Sequence, residues 1–464
     1  MEAFSQIAMR VLGLGAIAAW FGFAWMSARE RERGAALKAL GAGTLTGLFL
    51  LLTAQAPTPL RCLILGCVAL AVLAFAAVLL FPGSFSTTGD DNRTTRFDER
   101  DIVFARHDLQ PSTPEYDAFY ARHPEWKAVD DHTRSLPGLL TLESRQADPL
   151  SFAAAEAGFF LTEALKTGVD GPVAAKAHPL LPEAASAYLK ALARYFGAHS
   201  VGTCRLQPSH VYSHAGRGTD PIGEPIPLKH SFALAFTVRM DYDLMGVAPQ
   251  APVVMESARQ YARAGQIAVQ LAAFCRELGY PARAHIDANY QVIAPLVARD
   301  AGLGAIGRMG LLMTPDLGPR VRIGVVTTTL PLNPDSRLDA QWMIDFCQIC
   351  KKCAENCPSH SIPSGDQELI DGTLRWKLNS ETCFAYWNVE GTDCGVCMKV
   401  CPFSHPDTGL HTSIRWLLRR SPRLHRVALM MDDFFYGRKP ARRPAPEWTQ
   451  VGMDSNSPAP PQES

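Results

Sequence analysis

Residues 347–363 read CQICKKCAENCPSHSIP, with cysteines at Cys347, Cys350, Cys353 and Cys357 and a proline directly after the last. A second block holds Cys383, Cys394, Cys397 and Cys401, followed by Pro402. Its last three cysteines repeat the two-residue gap, three-residue gap and proline of the first block. Thiolates are soft ligands that hold iron well. Short gaps let one loop wrap three corners of an iron–sulfur cubane while the fourth cysteine reaches another cluster. The spacing therefore predicts two [4Fe-4S] clusters. Cys347, Cys350, Cys353 and Cys401 would hold one; Cys357, Cys383, Cys394 and Cys397 would hold the other. Structural zinc favours two ligand pairs separated by a longer loop. No C-x-x-C-H sequence is present to attach a haem covalently. Cys62, Cys67, Cys204 and Cys275 lack such spacing and read as buried small apolar side chains.

Two clusters make a wire for single electrons and select no substrate, so the preceding two hundred or so residues must carry the chemistry. The chain has 464 residues, enough for two or three domains. Its 45 Lys and Arg balance 45 Asp and Glu, so nothing in the charge points to a nucleic-acid partner. Eight of the twelve cysteines lie between Cys347 and Cys401. Such clustering in a long chain indicates metal ligation, where a disulfide framework would spread them.

The first ninety residues or so differ from the rest. Val11–Ser27, Ala39–Ala56 and Cys62–Phe81 are uncharged apolar runs, close to the roughly 20 residues that cross a bilayer as helix. Three runs predict a permanent anchor at residues 1–82, where a secretory signal would offer one. A buried helical hairpin is the alternative. No twin-arginine pair precedes the first run. The first connection carries Arg29, Arg31, Arg33 and Lys38, the second only Arg61. The basic excess places the first connection in the cytoplasm, and three crossings then put everything after Phe81 there too. With two crossings the orientation inverts.

A polar linker is expected at 83–100 and a catalytic domain at 101–340. A two-cluster domain follows at 341–410, then a C-terminal extension at 411–464 that is disordered at its Pro- and Ser-rich end. Met255–Leu278 has apolar residues at helical spacing and ends at Gly279. Val321–Thr328 reads as a strand. Ala301–Gly310 holds four glycines, and Gly302, Gly304 and Gly307 fit G-x-G-x-x-G. No clear strand precedes this loop and no acid follows at the needed distance, so it reads as a tight loop beside a ligand or another backbone rather than a dinucleotide site.

Five phrases resemble the reductive dehalogenase family: FDERDIVFARHDL, ESARQYARAGQIAVQLAAFCRELGY, AGLGAIGRMGLLMTPDLGPRVRIGVVTTTLPL, DFCQICKKCAENCPSHSIP and CFAYWNVEGTDCGVCMKVCPFSHP. They run from about Arg96 to Pro406, and their combination is specific where any one alone is not. The related epoxyqueuosine reductase, a soluble tRNA-modifying enzyme, is the alternative; it would have little use for three apolar helices. A membrane-bound electron-transfer protein or a corrinoid-binding sensor would be further alternatives.

The resemblance implies an α/β (α+β), nitroreductase-like core that binds cobalamin or a related corrinoid base-off, followed by a ferredoxin-like 2[4Fe-4S] module. No D-x-H-x-x-G motif supplies a histidine to cobalt; DDHTRS at 130–135 lacks the glycine. The corrinoid would lie at the loop of Gly302, Gly304 and Gly307. Tyr261 would be the proton donor, Asn289 a polar active-site group, and Arg322 the cation that lowers the tyrosine's pKa. Arg320 could take the role of Arg322, and Asp287 that of Asn289. The implied activity is reductive removal of halogen from a small organohalide at the cell membrane, fed by a quinol-linked or ferredoxin-like donor. Two departures stand out. Three apolar runs replace the family's exported signal and separate anchor, and Thr329 occupies the acidic position of its T-D-L-P-L phrase.

Overall fold

The computed structural model describes residues 2–81, 83–86, 95–227 and 229–450. Part of the expected linker and the end of the expected disordered tail lie outside the described residues. Backbone contacts divide the chain into two compact units. One comprises Met1–Thr87, Gln341–Cys350 and His405–Ala441; the other comprises Thr88–Ala340, Lys351–Ser404 and Arg442–Ser464. The division runs through the cysteine-rich segment.

In the first unit the three apolar runs are helices, Glu2–Arg29, Arg33–Thr53 and Thr58–Leu80, each long and apolar enough to cross a membrane. Each begins before the run read from sequence because the preceding residues continue the helical hydrogen bonding, while the second and third end at Thr53 and Leu80, short of Ala56 and Phe81. The first two pack through small residues. Ala35, Ala39, Gly43 and Gly47 recur every four residues and are buried along one face of the second helix. A Cβ on Gly47 would lie 2.2 Å from Ile17 Cγ1, and one on Gly43 2.6 Å from Trp20 Cβ. Glycine thus sets the helix separation, as small residues do where no hydrophobic effect drives association. The third helix exposes nearly all its apolar surface. Cys62 and Cys67 lie on it and are exposed, against the expectation of burial, whereas Cys204 and Cys275 are buried. An outward cysteine on such a helix needs no protein partner when its neighbours are apolar. The unit also holds the helices Gln341–Cys350, Gly409–Arg420 and His425–Tyr436.

The second unit is built on strands β1 (Ser200–Arg205), β2 (Phe232–Arg239), β3 (Ala282–His285), β4 (Ala305–Ile306), β5 (Leu312–Met313) and β6 (Val321–Thr328). Four of them form an antiparallel sheet in the order β1-β2-β6-β3. β6 has the bounds expected from its β-branched run. It is central, and Val325–Thr328 are buried, as a strand covered on both faces requires. The expected helix spans Pro252–Glu277 and packs on β6, β3 and the Pro149–Leu165 helix. It begins three residues earlier than its periodicity suggested because Pro252 suits a first helical position. Leu234, Phe236, Ile267, Leu271 and Val326 join the core between helix and sheet.

Candidate active site and cluster loops

Tyr261 and Arg322 come from this helix and from β6, and the fold brings them together. The Arg322 Cζ lies 4.8 Å from the centroid of the Tyr261 ring, within cation–π range. Both line a cavity of about 210 Å³ with Tyr212, Tyr290, Leu311 and Leu312. Arg322 is fixed from behind. Its Nη2 donates to Asp393 Oδ2 and to Ser257 Oγ, both at 2.7 Å. Ser257 Oγ in turn donates to the same Asp393 oxygen at 2.5 Å. Ser257 lies one helical turn before Tyr261 and so shares its face. Asp393 directly precedes Cys394. Arg322 Nε and Asp393 Oδ1 are buried without hydrogen-bond partners.

Burial pushes the Tyr261 hydroxyl up to about 12; Arg322 opposes this, while Asp287 and Asp393 add to it. The cation lowers it, the direction expected from sequence, while burial raises it by more. Desolvation of a phenolate outweighs one neighbouring charge. Burial also raises the carboxyl of Asp287, against Arg217 and Arg322, and places Tyr290 well above the ordinary tyrosine range.

The two open alternatives separate. Arg320 donates through Nε to Ser404 O at 3.0 Å and through Nη1 to Met240 O, so it ties backbone segments and Arg322 alone reaches the cavity. Asn289 is buried, but its Oδ1 accepts from Arg283 Nη2 at 2.9 Å and its Nδ2 donates to Thr219 Oγ1 at 3.3 Å. It does not line the cavity.

Gly302 and Gly304 serve the protein's own backbone. A Cβ on Gly304 would lie 2.0 Å from Met313 O, and Gly302, at φ +79°, faces Ser336 O. The loop follows the Ala294–Asp300 helix and enters β4. That is the reverse of the strand-to-helix order of a dinucleotide fingerprint. Gly307 closes a turn, its N–H donating to Leu311 O at 3.0 Å. The turn it closes delivers Leu311 and Leu312 to the cavity wall.

Four of the predicted ligands gather within the second unit. Cys383 feels Cys357; Cys394 feels Cys383 and Cys357; Cys397 feels Cys394, Cys383, Cys353 and Cys357. Burial first, then these neighbours, pushes Cys383 up to about 11 and Cys394 up to about 12. Thiols gathered so closely, with the ionisation of Cys383, Cys394 and Cys397 opposed by their neighbours, suit a centre that brings its own positive charge, and this donor set fits an iron–sulfur cluster. Among the described residues no group of His, Cys, Asp and Glu could hold a single metal ion.

Sequence reasoning missed Tyr212, Tyr290, Ser257 and Asp393. An acid beside a cluster cysteine and a serine one turn from the tyrosine were the available signals, and neither gains meaning before the fold places Arg322 between them.

A second cavity, of about 290 Å³, adjoins the first and shares Val292 with it. Asp220, Lys229, His230, Arg283, His285 and Gln291 contribute to its wall.

Residues 346–405 match the model of the 4Fe-4S dicluster domain family. The tetrachloroethene reductive dehalogenase of Sulfurospirillum multivorans is 32% identical over 287 residues, 54% of this chain and 57% of that protein. The enzyme of the same name from Desulfitobacterium hafniense is 32% identical over 218 residues, 45% of this chain and 39% of that protein. An epoxyqueuosine reductase from Synechococcus sp. (strain CC9605) is 27% identical over 140 residues, 26% of this chain. Among solved structures, the catabolic reductive dehalogenase NpRdhA superposes with a TM-score of 0.61 at 26% identity, covering 78% of this chain and 49% of that one. The chain thus spans about half the length of the dehalogenases it matches. The chain is therefore similar in sequence and in fold to these reductive dehalogenases over about half of their length, and it carries a 4Fe-4S dicluster domain.

Proposed function

We propose that this protein is a membrane-anchored reductive dehalogenase. Two electrons and one proton convert a carbon–halogen bond to carbon–hydrogen and release halide. The observation that carries this reading is the Tyr261–Arg322 pair on a small cavity, with Asp393 joining it to the Cys394 loop. The cavity admits a small organohalide. The NpRdhA structure with 3-bromo-4-hydroxybenzoic acid, at 25% identity and a TM-score of 0.62, supports that substrate class. The α+β core with its antiparallel sheet supports a nitroreductase-like, corrinoid-binding domain at 101–340, followed by the two-cluster domain at 341–410.

A corrinoid is larger than either cavity, so it would need both. The residues suited to hold it are apolar Leu311, Leu312 and Val292, and polar Asp220, Gln291 and Lys229, which match a ring bearing amide side chains. Gly302, Gly304 and Gly307 would act by shaping the turn that presents Leu311 and Leu312. When bound, the corrinoid supplies low-valent cobalt for carbon–halogen cleavage. The chain's own residues exclude water, hold the substrate and move the proton. Tyr261, fully protonated at neutral pH with its hydroxyl at about 12, donates through Oη, and Arg322 stabilises the phenolate left behind. Asn289 positions Arg283 in the second cavity's wall.

Anaerobically reconstituted protein is expected to bind about eight irons and eight sulfides, four to each set of thiolates, with one corrinoid per chain. Iron, sulfide and cobalt analysis with halide release from a panel of organohalides tests this. Stoichiometric zinc without sulfide, or loaded protein releasing no halide, would overturn it.

The three helices support a multi-pass anchor. Within the first unit, Lys38 Nζ donates to Phe434 O at 2.6 Å and Arg423 Nη1 to Phe81 O at 3.0 Å. The C-terminal helices thus touch both the basic connection's end and the third helix's end, which supports one shared, cytoplasmic side. A reporter fused after Phe81 should be active only in the cytoplasm; activity outside would reject three crossings.

A further inference from the structure

The first unit holds a group of titratable side chains for which the dehalogenase chemistry has no use. Glu30 directly follows the first apolar helix. Its Oε2 lies 3.1 Å from His411 Nε2, and its Oε1 accepts from Thr408 Oγ1 at 3.0 Å. His405 Nε2 lies 2.9 Å from Asp432 Oδ1. The two imidazoles are stacked, with centroids 4.6 Å apart and planes 6° apart. The Tyr436 ring packs 4.1 Å from His405. The buried Tyr436 hydroxyl lies against the Ser27 hydroxyl beside this group.

The surroundings are those of a membrane boundary. Trp416, Val427, Met430 and Phe434 are exposed on the two C-terminal helices, which also carry Arg419, Arg420 and Arg426. That is the composition of helices lying in the interface plane. The Gln341–Cys350 helix, bearing Cys347 and Cys350, packs against both of them. Phe346, next to Cys347, meets the His425 ring at 5.7 Å.

We propose that Glu30, His405, His411, Asp432 and Tyr436 form an oxidation site for a lipid-soluble hydroquinone, which feeds the cluster that Cys347 and Cys350 help to hold. The chemistry balances. Both hydroquinone O–H bonds break, two protons pass to the His411–Glu30 and His405–Asp432 pairs, and two electrons leave singly to the iron–sulfur centre, giving the quinone. A histidine that donates Nε2–H to a carboxylate keeps Nδ1 as its basic nitrogen, and two such pairs match two protons. Burial, with His405 adding to it and Glu30 opposing, holds His411 below the usual histidine range, so it is neutral and ready to accept. A network serving only to pin the helices would not need two stacked imidazoles, each set against its own carboxylate. The proposal rests on the dehalogenase reading only for where the electrons end.

The test uses the full chain with reconstituted clusters in lipid nanodiscs and the hydroquinone analogue 2-heptyl-4-hydroxyquinoline N-oxide, whose fluorescence is quenched on binding. Saturable binding of one probe per chain is expected. Glu30→Gln and His411→Gln should weaken it by roughly tenfold or more, the worth of a hydrogen bond to an ionised group. Tyr436→Phe, which keeps the ring packed on His405, should weaken it severalfold and guards against misfolding. In the reverse direction, dithionite-reduced clusters should be reoxidised by decylubiquinone roughly tenfold more slowly in the same variants, at unchanged iron and sulfide content. No saturable binding to the unsubstituted chain, or wild-type affinity and reoxidation in iron-replete variants, would overturn the site and leave a soluble ferredoxin-like donor. Viologen-driven halide release from the unsubstituted chain, measured separately, tells failure of the dehalogenase reading apart from failure of this one.

Discussion

Tyr261→Phe should retain iron, sulfide and corrinoid and lose dehalogenation by roughly a hundredfold or more, the scale of a missing general acid. The substitution removes one oxygen from a ring that stays packed against Phe159, 6.4 Å away, and under Arg322, so folding should survive. With the hydroxyl at about 12, the tyrosine stays protonated through neutral and mildly alkaline pH. The acid form is lost only as pH rises through that value. The wild-type rate should therefore show no alkaline decline from this group within the range where the protein is stable. A decline near neutrality that disappears in Tyr261→Phe would mean that the phenol is far less desolvated than the fold indicates. Near-normal halide release from fully loaded Tyr261→Phe would reduce Tyr261 to a cavity-wall aromatic and turn attention to Asp287, whose carboxyl burial also raises.

Arg322→Ala should be more damaging overall, because it strikes both catalysis and stability. Arg322 and Asp393 are each about one-eighth exposed, at 13% and 12%. Removing the cation leaves the Asp393 carboxylate buried with Ser257 and a backbone N–H but no countercharge, and breaking such a pair costs about 3–5 kcal/mol. The Tyr261 hydroxyl should rise further once the opposing charge is gone, and the phenolate product loses its stabiliser, so turnover should fall by roughly a hundredfold or more at constant corrinoid content. Arg322→Lys should recover little. One nitrogen of the planar guanidinium meets both Ser257 and Asp393 while its face lies on Tyr261, and an ammonium cannot do both. Thermal denaturation and halide release on the same preparations check this. Wild-type stability together with wild-type turnover in Arg322→Ala would show that Arg322 is not part of the active site. Because Asp393 adjoins Cys394, the iron content of each preparation must be measured alongside.

Several parts of the site were legible in the sequence because their chemistry is local. The gaps between Cys347, Cys350, Cys353 and Cys357, and between Cys394, Cys397 and Cys401, fix how many ligands one loop can offer, whatever surrounds them. The apolar runs fix the three long helices in the same way, since length and composition alone decide whether a helix can cross a bilayer. Helical periodicity placed Tyr261, and β-branched composition placed Arg322, on the elements the structure contains. The resemblance paired these two residues, but no periodicity could have put one over the other.

The tertiary structure decided what depends on segments far apart in the chain. It chose Arg322 over Arg320, because Arg320 precedes β6 and its guanidinium is held by the backbone oxygens of Ser404 and Met240, while Arg322 lines the cavity. It committed Asn289 to Arg283 and Thr219, partners that spacing could not reveal. It set Asp393 behind Arg322, joining a cluster loop to the tyrosine. It also set burial against the cation at the Tyr261 hydroxyl. A cation can be read from the residue type, but desolvation depends on everything that folds around the group, and here burial is the larger effect.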